Sequence, residues 1–346
     1  MKRETIALGL ALVTAAGCGM AQQRPAAPEV DSAKVAAYSV LVEALHSGQP
    51  PLQKLAIEGF LESDAPPPRD ALEPLADGPD PRVRAMAVTL LGTMRQPVLV
   101  PLLQRKSLDA DPAVRLAAAF GLAMAGDASQ VMALRDALAS PDVTLRRTAA
   151  WLLGLMNNPT AVGMLRLKLD DPDAVVVLRT AEALGRLGSH DGLQAVRILV
   201  EYERHEIRWA ATRLLGRIGT TADIPRLEKL CQSRFLDVKF AAIAAIAMLG
   251  DFKRIGMLMD LVDAPEAEVR VLAAWELGGT GYTPAIERLA RLLAQPDATE
   301  RAAGATAILR IQSTRQPWRA RILADQPTPE GPLPQPAGPA NTPKKP

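Results

Sequence analysis

Apolar residues recur along this chain in a fixed register. Take as a mark the basic residue that follows the first apolar residue of each segment. It stands at Arg84, Arg115, Arg146, Arg208, Lys239, Arg270 and Arg301, with Val177 in the remaining place, a step of 31 residues without insertion. One residue before the mark come Val83, Val114, Leu145, Val176, Ile207, Val238 and Val269, then Glu300. Three after it come Ala87, Ala118, Ala149, Thr180, Ala211, Ala242, Ala273 and Gly304, and seven after it Leu91, Leu122, Leu153, Leu184, Leu215, Ile246, Leu277 and Ile308. Offsets of −1, +3 and +7 share one face of an α-helix. A second set, such as Val131, Leu134 and Leu138 or Ile255, Leu258 and Val262, follows 16, 19 and 23 residues after the mark and defines another apolar face. Each 31-residue unit therefore predicts a pair of helices, and a fixed period in this range marks a stacked repeat architecture.

The ends of the second helix are also written in the sequence. Asp80, Asp111, Asp142, Asp173 and Asp297, with Glu266, precede the mark by four residues, where a carboxylate can cap free N–H groups. Eleven after the mark stand Gly126, Gly188, Gly219, Gly250 and Gly281, with Asn157 in the same column and Arg95 as the exception. Glycine and asparagine tolerate the left-handed conformation that ends many helices. Gly92, Gly154, Gly185, Gly216 and Gly278 form a column inside the helix, where each costs about 1 kcal/mol relative to alanine. Such a column predicts close backbone approach to the neighbouring repeat.

One further unit lies upstream, where Leu52, Ala56 and Phe60 occupy the same columns and residues 31–47 supply a first helix. Glu300 and Gly304 weaken the pattern at the other end, and Pro317-Trp318 to Ala324 predicts a short closing helix. Atypical end units are expected of a stack, whose outer faces must be covered or made polar. From Gln326 onward the chain is Pro-rich and predicts no packed structure.

The N-terminus reads differently. Lys2 and Arg3 precede an apolar run from Ile6 to Val13, followed by Thr14-Ala-Ala-Gly-Cys18. That is the layout of a secretory signal, and the run is too short for a spanning helix. The division expected is a signal peptide over 1–17, a modified N-terminus and tether over 18–30, a repeat array over 31–325 and a Pro-rich tail over 326–346.

Composition narrows the function. Lys and Arg number 40 against 38 Asp and Glu, and only 3% of residues are aromatic. The near-neutral balance gives no hint of a nucleic-acid partner. Two cysteines and three scattered histidines build no metal site, and no nucleophile, base and orienting group stand in a recognisable arrangement. Cys231 falls in a core column and reads as inert packing. Neither a cofactor nor a metal is expected.

The consensus Asp-Pro-x-Val-Arg-x-x-Ala-Ala-x-x-Leu-Gly-x-x-Gly resembles the HEAT-like repeat of about 30 residues, the short class also present in phycobilisome bilin lyases. The resemblance covers residues 31–315. It implies an all-α fold, a right-handed α-solenoid of about nine helix pairs, whose Asp and Arg columns form a ladder between repeats. It also implies a binding scaffold. Gly17-Cys18 and the small residues before it resemble the lipobox of bacterial lipoproteins, which implies lipidation of Cys18. Gly19 after it implies sorting to the outer membrane, on the periplasmic side.

In such arrays the second helices line the concave surface. Offsets +2, +5 and +9 lie opposite their core stripe and give Phe120, Met124, Trp151 and Leu155, then Arg179, Glu182 and Arg186, then Arg213 and Arg217, with Met248 and Trp275 further on. Aromatic residues beside arginine are what binding hot spots favour. A concave groove with an aromatic half and a basic half is the expected site. The competing reading packs Trp151 and Trp275 between helices and pairs the arginines with Glu182. Trp209, one residue after its mark, is expected to contact the neighbouring repeat. Nine pairs at 8–10 Å per neighbour predict a stack of roughly 70–90 Å. The function expected is a non-enzymatic protein-interaction scaffold of the cell envelope, membrane-bound through Cys18; the alternative is an enzyme or enzyme subunit related to the bilin lyases.

Overall fold

The computed structural model describes residues 27–313 and is all-helical over them. Eighteen α-helices form nine pairs. In chain order these are α1 (Ala27–His46) with α2 (Pro50–Leu61), α3 (Arg69–Ala76) with α4 (Pro81–Thr93), and α5 (Val100–Lys106) with α6 (Pro112–Met124). Then come α7 (Val131–Leu138) with α8 (Val143–Leu155), α9 (Val162–Arg166) with α10 (Ala174–Arg186), and α11 (Leu193–Leu199) with α12 (His205–Ile218). The last are α13 (Ile224–Leu230) with α14 (Leu236–Met248), α15 (Ile255–Leu261) with α16 (Ala267–Thr280), and α17 (Ile286–Leu292) with α18 (Ala298–Ile311). Helix α1 begins four residues inside the stretch read as tether. Cys18, the signal segment, the closing helix at 317–324 and the Pro-rich tail lie outside the described residues.

The columns behave as their chemistry requires. Ala87, Ala118, Ala149, Ala211, Ala242 and Ala273 are fully buried. Asp80, Asp111, Asp142, Asp173 and Asp297 each accept backbone N–H bonds in the first turn of their helices, whereas Glu266, Arg204 and Phe235 form no such cap. The interior glycines mark close approach: a Cβ at Gly216 would stand 2.6 Å from Ala245 Cα of the next repeat. Two ends differ from expectation. Arg95 adopts the left-handed conformation, φ 55°, despite its side chain. Gly219 does not; it is extended at ψ −176°, and serves instead where a Cβ would meet Leu215 O at 2.4 Å.

The ladder between repeats exists, but its acids are not the capping aspartates. Arg84 donates to both oxygens of Asp109, and Arg146 to both of Asp171, each acid lying two residues before the next cap. The same arginines donate to carbonyls of their own inter-helix turn, Gly78 and Pro79 for Arg84 and Ser140 and Pro141 for Arg146. Capping does not close a carboxylate to a second partner: Asp173, which caps α10, also accepts from Arg147 of the preceding repeat at 3.0 and 2.7 Å. Glu300, which weakens the apolar column, serves as the ladder acid for Arg270, at 2.6 and 2.8 Å.

The open stack of 70–90 Å is not what forms. The last pair meets the first, and the array closes into a ring. A Cβ at Gly59 of α2 would stand 2.7 Å from Leu41 of α1 and 2.9 Å from Thr306 Oγ1 of α18. One apolar core runs from Ala37 to Leu122 and resumes from Val177 to Ile311, joined across this seam, while residues 116–187 form a second core on the far side. Helix α18 has no exposed end face; Ala302, Ala303, Ala305, Ala307 and Leu309 are all buried. Small side chains around nearly the whole helix let α16, α17, α1 and α2 pack on it together.

Candidate functional site

The second helices, α2 to α18, face the axis of the ring. Their +5 and +9 positions would line an open concave surface in an open stack; in the ring they project into an enclosed lumen. Two of them leave it. Phe120 is fully buried in the second core, turned beside α4 where Gly92 makes room. Met248 is also core, its thioether lying against the gaps at Gly216 and Gly279. Neither lines a groove, because a large apolar side chain beside a glycine is better placed sideways than towards the axis.

The charged positions converge. Glu62 accepts from Arg310 Nε at 2.7 Å and pairs with Arg217 at 3.5 Å. Arg217 pairs in turn with Glu182 at 3.5 Å, and Glu182 accepts from Arg186 and Arg179, each at 3.0 Å. This chain of alternating charges crosses the lumen from α18 and α2, through α12, to α10. Burial pushes the Glu182 carboxyl up, but Arg186, Arg179 and Arg217 outweigh it and hold it at about 2. Burial acts on Glu62 in the same sense, and Arg310 and Arg217 drive it further still below the usual carboxylate range. Arg310, desolvated and beside Arg217, is drawn down to about 10 and stays charged at neutral pH.

An aromatic arm adjoins this network. The Arg213 guanidinium lies 5.2 Å from the ring centroids of both Trp209 and Trp275, within cation–π range. Arg310 covers Trp275 as well, at 5.0 Å, and donates to its carbonyl. Trp209 does not stop at its neighbour: its indole N–H reaches Glu276 Oε1 at 2.9 Å, two repeats on. It passes α14, whose inner positions Ala241 and Ala244 are too small to obstruct it. Glu276, 1% exposed, also pairs with Arg213 at 3.5 Å.

The charge network divides the lumen into two cavities. The first, about 460 Å³, opens at the N-terminal ends of the second helices, with Thr144, Arg147 and Val175 at its lip. Trp151, Leu155, Glu58, Arg179, Arg213 and Trp275 form its walls. The second, about 940 Å³, opens at the opposite ends, with Arg95 and Asn157 at its rim and Met124, Leu155, Arg217 and Arg310 inside. Both rim residues hold the left-handed conformation.

Of the residues expected at the site, Trp151, Leu155, Arg179, Glu182, Arg186, Arg213 and Trp275 come together in the first cavity, and Met124 and Arg217 in the second. The pairing of arginines with Glu182, the competing reading, holds for three of the four. Glu58, Glu62 and Arg310 were legible and overlooked: they occupy offsets +5 and +9 in the first and last units. Trp209 and Glu276 stand one residue off those offsets, and no sequence rule brings them in.

Catalytic groups are few. Among the described residues no cluster of His, Cys, Asp and Glu suits a metal ion, and no helix is long and apolar enough to cross a membrane. Burial pushes the Cys231 thiol up, away from the reactive thiolate. His205 lies outside the lumen, stacked on Phe235 at 4.3 Å.

These observations define an array of paired helices with a 31-residue period, closed into a ring. The family model for HEAT repeats matches residues 99–167 and 164–247. Among solved structures, the complex of CpcE and CpcF of phycocyanin lyase from Nostoc sp. PCC7120 is 20% identical and covers 75% of this chain and 94% of its own, with a TM-score of 0.34. The Escherichia coli protein YibA is 18% identical over 69% of this chain and 91% of its own, TM-score 0.39, and human deoxyhypusine hydroxylase 18% over 73% and 96%, TM-score 0.36. No curated protein matches the sequence.

Proposed function

We propose that the protein is a non-enzymatic interaction module of the bacterial cell envelope, held at the outer membrane on its periplasmic side by a lipid on Cys18. It takes part of a partner protein into the first mouth of its ring. The observation that carries this reading is the open cavity walled by Trp151 and by the Arg213–Trp275 stack. Aromatic and arginine side chains held rigid in a water-excluding recess are the anchors that dominate protein interfaces. No nucleic-acid partner is included, since the charge balance offers no basic excess.

Two experiments test it. The intact mass of membrane-extracted protein should show a chain beginning at Cys18 with added acyl mass; an unmodified chain starting at Met1 overturns the envelope assignment. A photo-cross-linker placed at Thr148, beside the first cavity, should give a discrete adduct in cells, and one at Gln104 on the outer surface should not. Adducts of equal yield at both positions would remove the lumen as the docking site.

A further inference from the structure

The first cavity holds a charge imbalance. Its lining carries four arginines, Arg147, Arg179, Arg186 and Arg213, against three glutamates, Glu58, Glu62 and Glu182, which leaves one positive charge. Most of these groups are hydrogen-bonded. Arg213 is not. Its side chain is only 16% exposed and is fixed between Trp209 and Trp275, yet among the described residues its guanidinium forms no hydrogen bond, only the 3.5 Å ion pair with Glu276. Arg179, 48% exposed, spends one nitrogen on Glu182 and presents the others to the cavity. Glu58, on the opposite wall, has a carboxyl with neither hydrogen bond nor ion pair among the described residues.

We infer that the first cavity recognises a monoanionic carboxylate carried on an apolar body. Arg213 and Arg179 donate to its oxygens, and Trp151 with Leu155 takes the apolar part. The inference rests on the proposed docking at this mouth and names its chemistry. Guanidinium groups present a planar fork that suits a carboxylate, and one held in place beforehand loses little freedom on binding. A dianion such as phosphate is disfavoured, because Glu58, Glu62 and Glu182 all border the same space. The volume, about 460 Å³, is that of a site for a small molecule or a few residues of peptide.

Glu58 sets a further condition. Burial and the neighbouring Glu62 raise its carboxyl above the ordinary range, against Arg179 from α10, Arg213 from α12 and Arg310 from α18. A bound carboxylate adds a second negative charge beside it. Glu58 then takes up a proton and becomes a donor to the ligand, so binding strengthens as pH falls.

The test uses the full mature chain and titration calorimetry with three probes: acetyl-Gly-Phe with a free C-terminus, the same peptide amidated, and 3-phenylpropionate. The free-acid probes should bind at least about tenfold more tightly than the amide, a difference of about 1.4 kcal/mol. Acetyl-Gly-Phe binding more tightly than 3-phenylpropionate identifies a chain terminus as the source; the reverse identifies a free carboxylic acid; either supports carboxylate recognition. The Arg179→Gln variant, altered at a half-exposed position that does not endanger the fold, should lose about tenfold for the free acids and nothing for the amide. Glu58→Gln should bind the acids with less dependence on pH than the parent, whose binding weakens as pH rises above the ordinary carboxylate range. Equal binding of acid and amide, or no binding of either acid, overturns the inference. A partner cross-linked at Thr148 alongside such a result would leave the docking proposal standing without its carboxylate.

Discussion

Glu62, Glu182 and Glu276 each meet arginines inside the ring, and removing them has unequal consequences. Among the described residues Glu62 is the only carboxylate within ion-pair distance of Arg310, whose side chain is 3% exposed. Glu62→Gln therefore leaves a buried cation without its counter-charge, and we expect a loss of about 2–3 kcal/mol in urea denaturation. The pH dependence follows from the same groups. In the unfolded chain both Glu62 and Glu182 titrate near 4.3; in the ring Glu182 titrates at about 2 and Glu62 lower still. Their stabilisation is complete above the unfolded value and is lost as pH falls from there through about 2 and below. Through these two groups the urea midpoint should fall steeply between about pH 4.5 and 2. Glu58 acts in the opposite sense: its raised carboxyl opposes folding when ionised, so Glu58→Gln should raise the midpoint at neutral pH.

At the scale of the helix, stability is set by ends and by close approach. Asp111 accepts from Ala113 N at 2.8 Å and Val114 N at 3.2 Å, and Asp111→Ala should cost about 1 kcal/mol by thermal melting. Arg95 makes the reverse case. It holds φ at 55° where the equivalent units carry glycine or asparagine. Arg95→Gly should raise stability by up to about 1 kcal/mol, since glycine adopts that conformation without steric cost. An unchanged or lower melting temperature would show that the Arg95 side chain compensates for its backbone at the second rim. Gly216 repays its intrinsic helix cost by admitting α14; Gly216→Ala places a Cβ 2.6 Å from Ala245 Cα and should destabilise by about 1–3 kcal/mol despite the better helix former. The caps and glycine columns are legible in the sequence because they answer to local backbone geometry. The ladder is only half legible: the arginines stand in register, but which acid each one reaches, Asp109 and Asp171 ahead of the caps or Glu300 within the helix, is set by the packing of neighbouring repeats.

For the whole molecule, closure changes what kind of repeat protein this is. An open array contacts only neighbouring repeats and loses stability unit by unit. Here the first unit is also a neighbour of the last, and one apolar core joins them. Unfolding should therefore be a single transition by circular dichroism and by Trp fluorescence. Gly59→Phe should wedge the seam between Leu41 and Thr306. Small-angle scattering should then show the maximum dimension growing towards the roughly 70–90 Å of an open stack. An unchanged scattering profile in a folded variant would mean that the seam yields locally and the ring is held by other contacts.

Sequence alone determined the period, the nine helix pairs, their core faces, their caps and the inner columns that carry Trp151, Arg179, Glu182, Arg213 and Arg217. All of these follow from hydrogen bonding and packing within a unit or between adjacent units, and each recurs often enough to be read as a column. Closure was decided only in three dimensions. Nine units close a ring when each turns by roughly 40°, and a few degrees per unit separate a ring from an open superhelix. That angle is the summed outcome of side-chain volumes at every interface, and no single residue states it. The meeting of Glu62 with Arg217, and of Trp209 with Glu276, inherits that dependence. Glu62 meets Arg217 because the ends of the array come together, and Trp209 reaches Glu276, two repeats on, because the curvature of the ring turns both towards the axis.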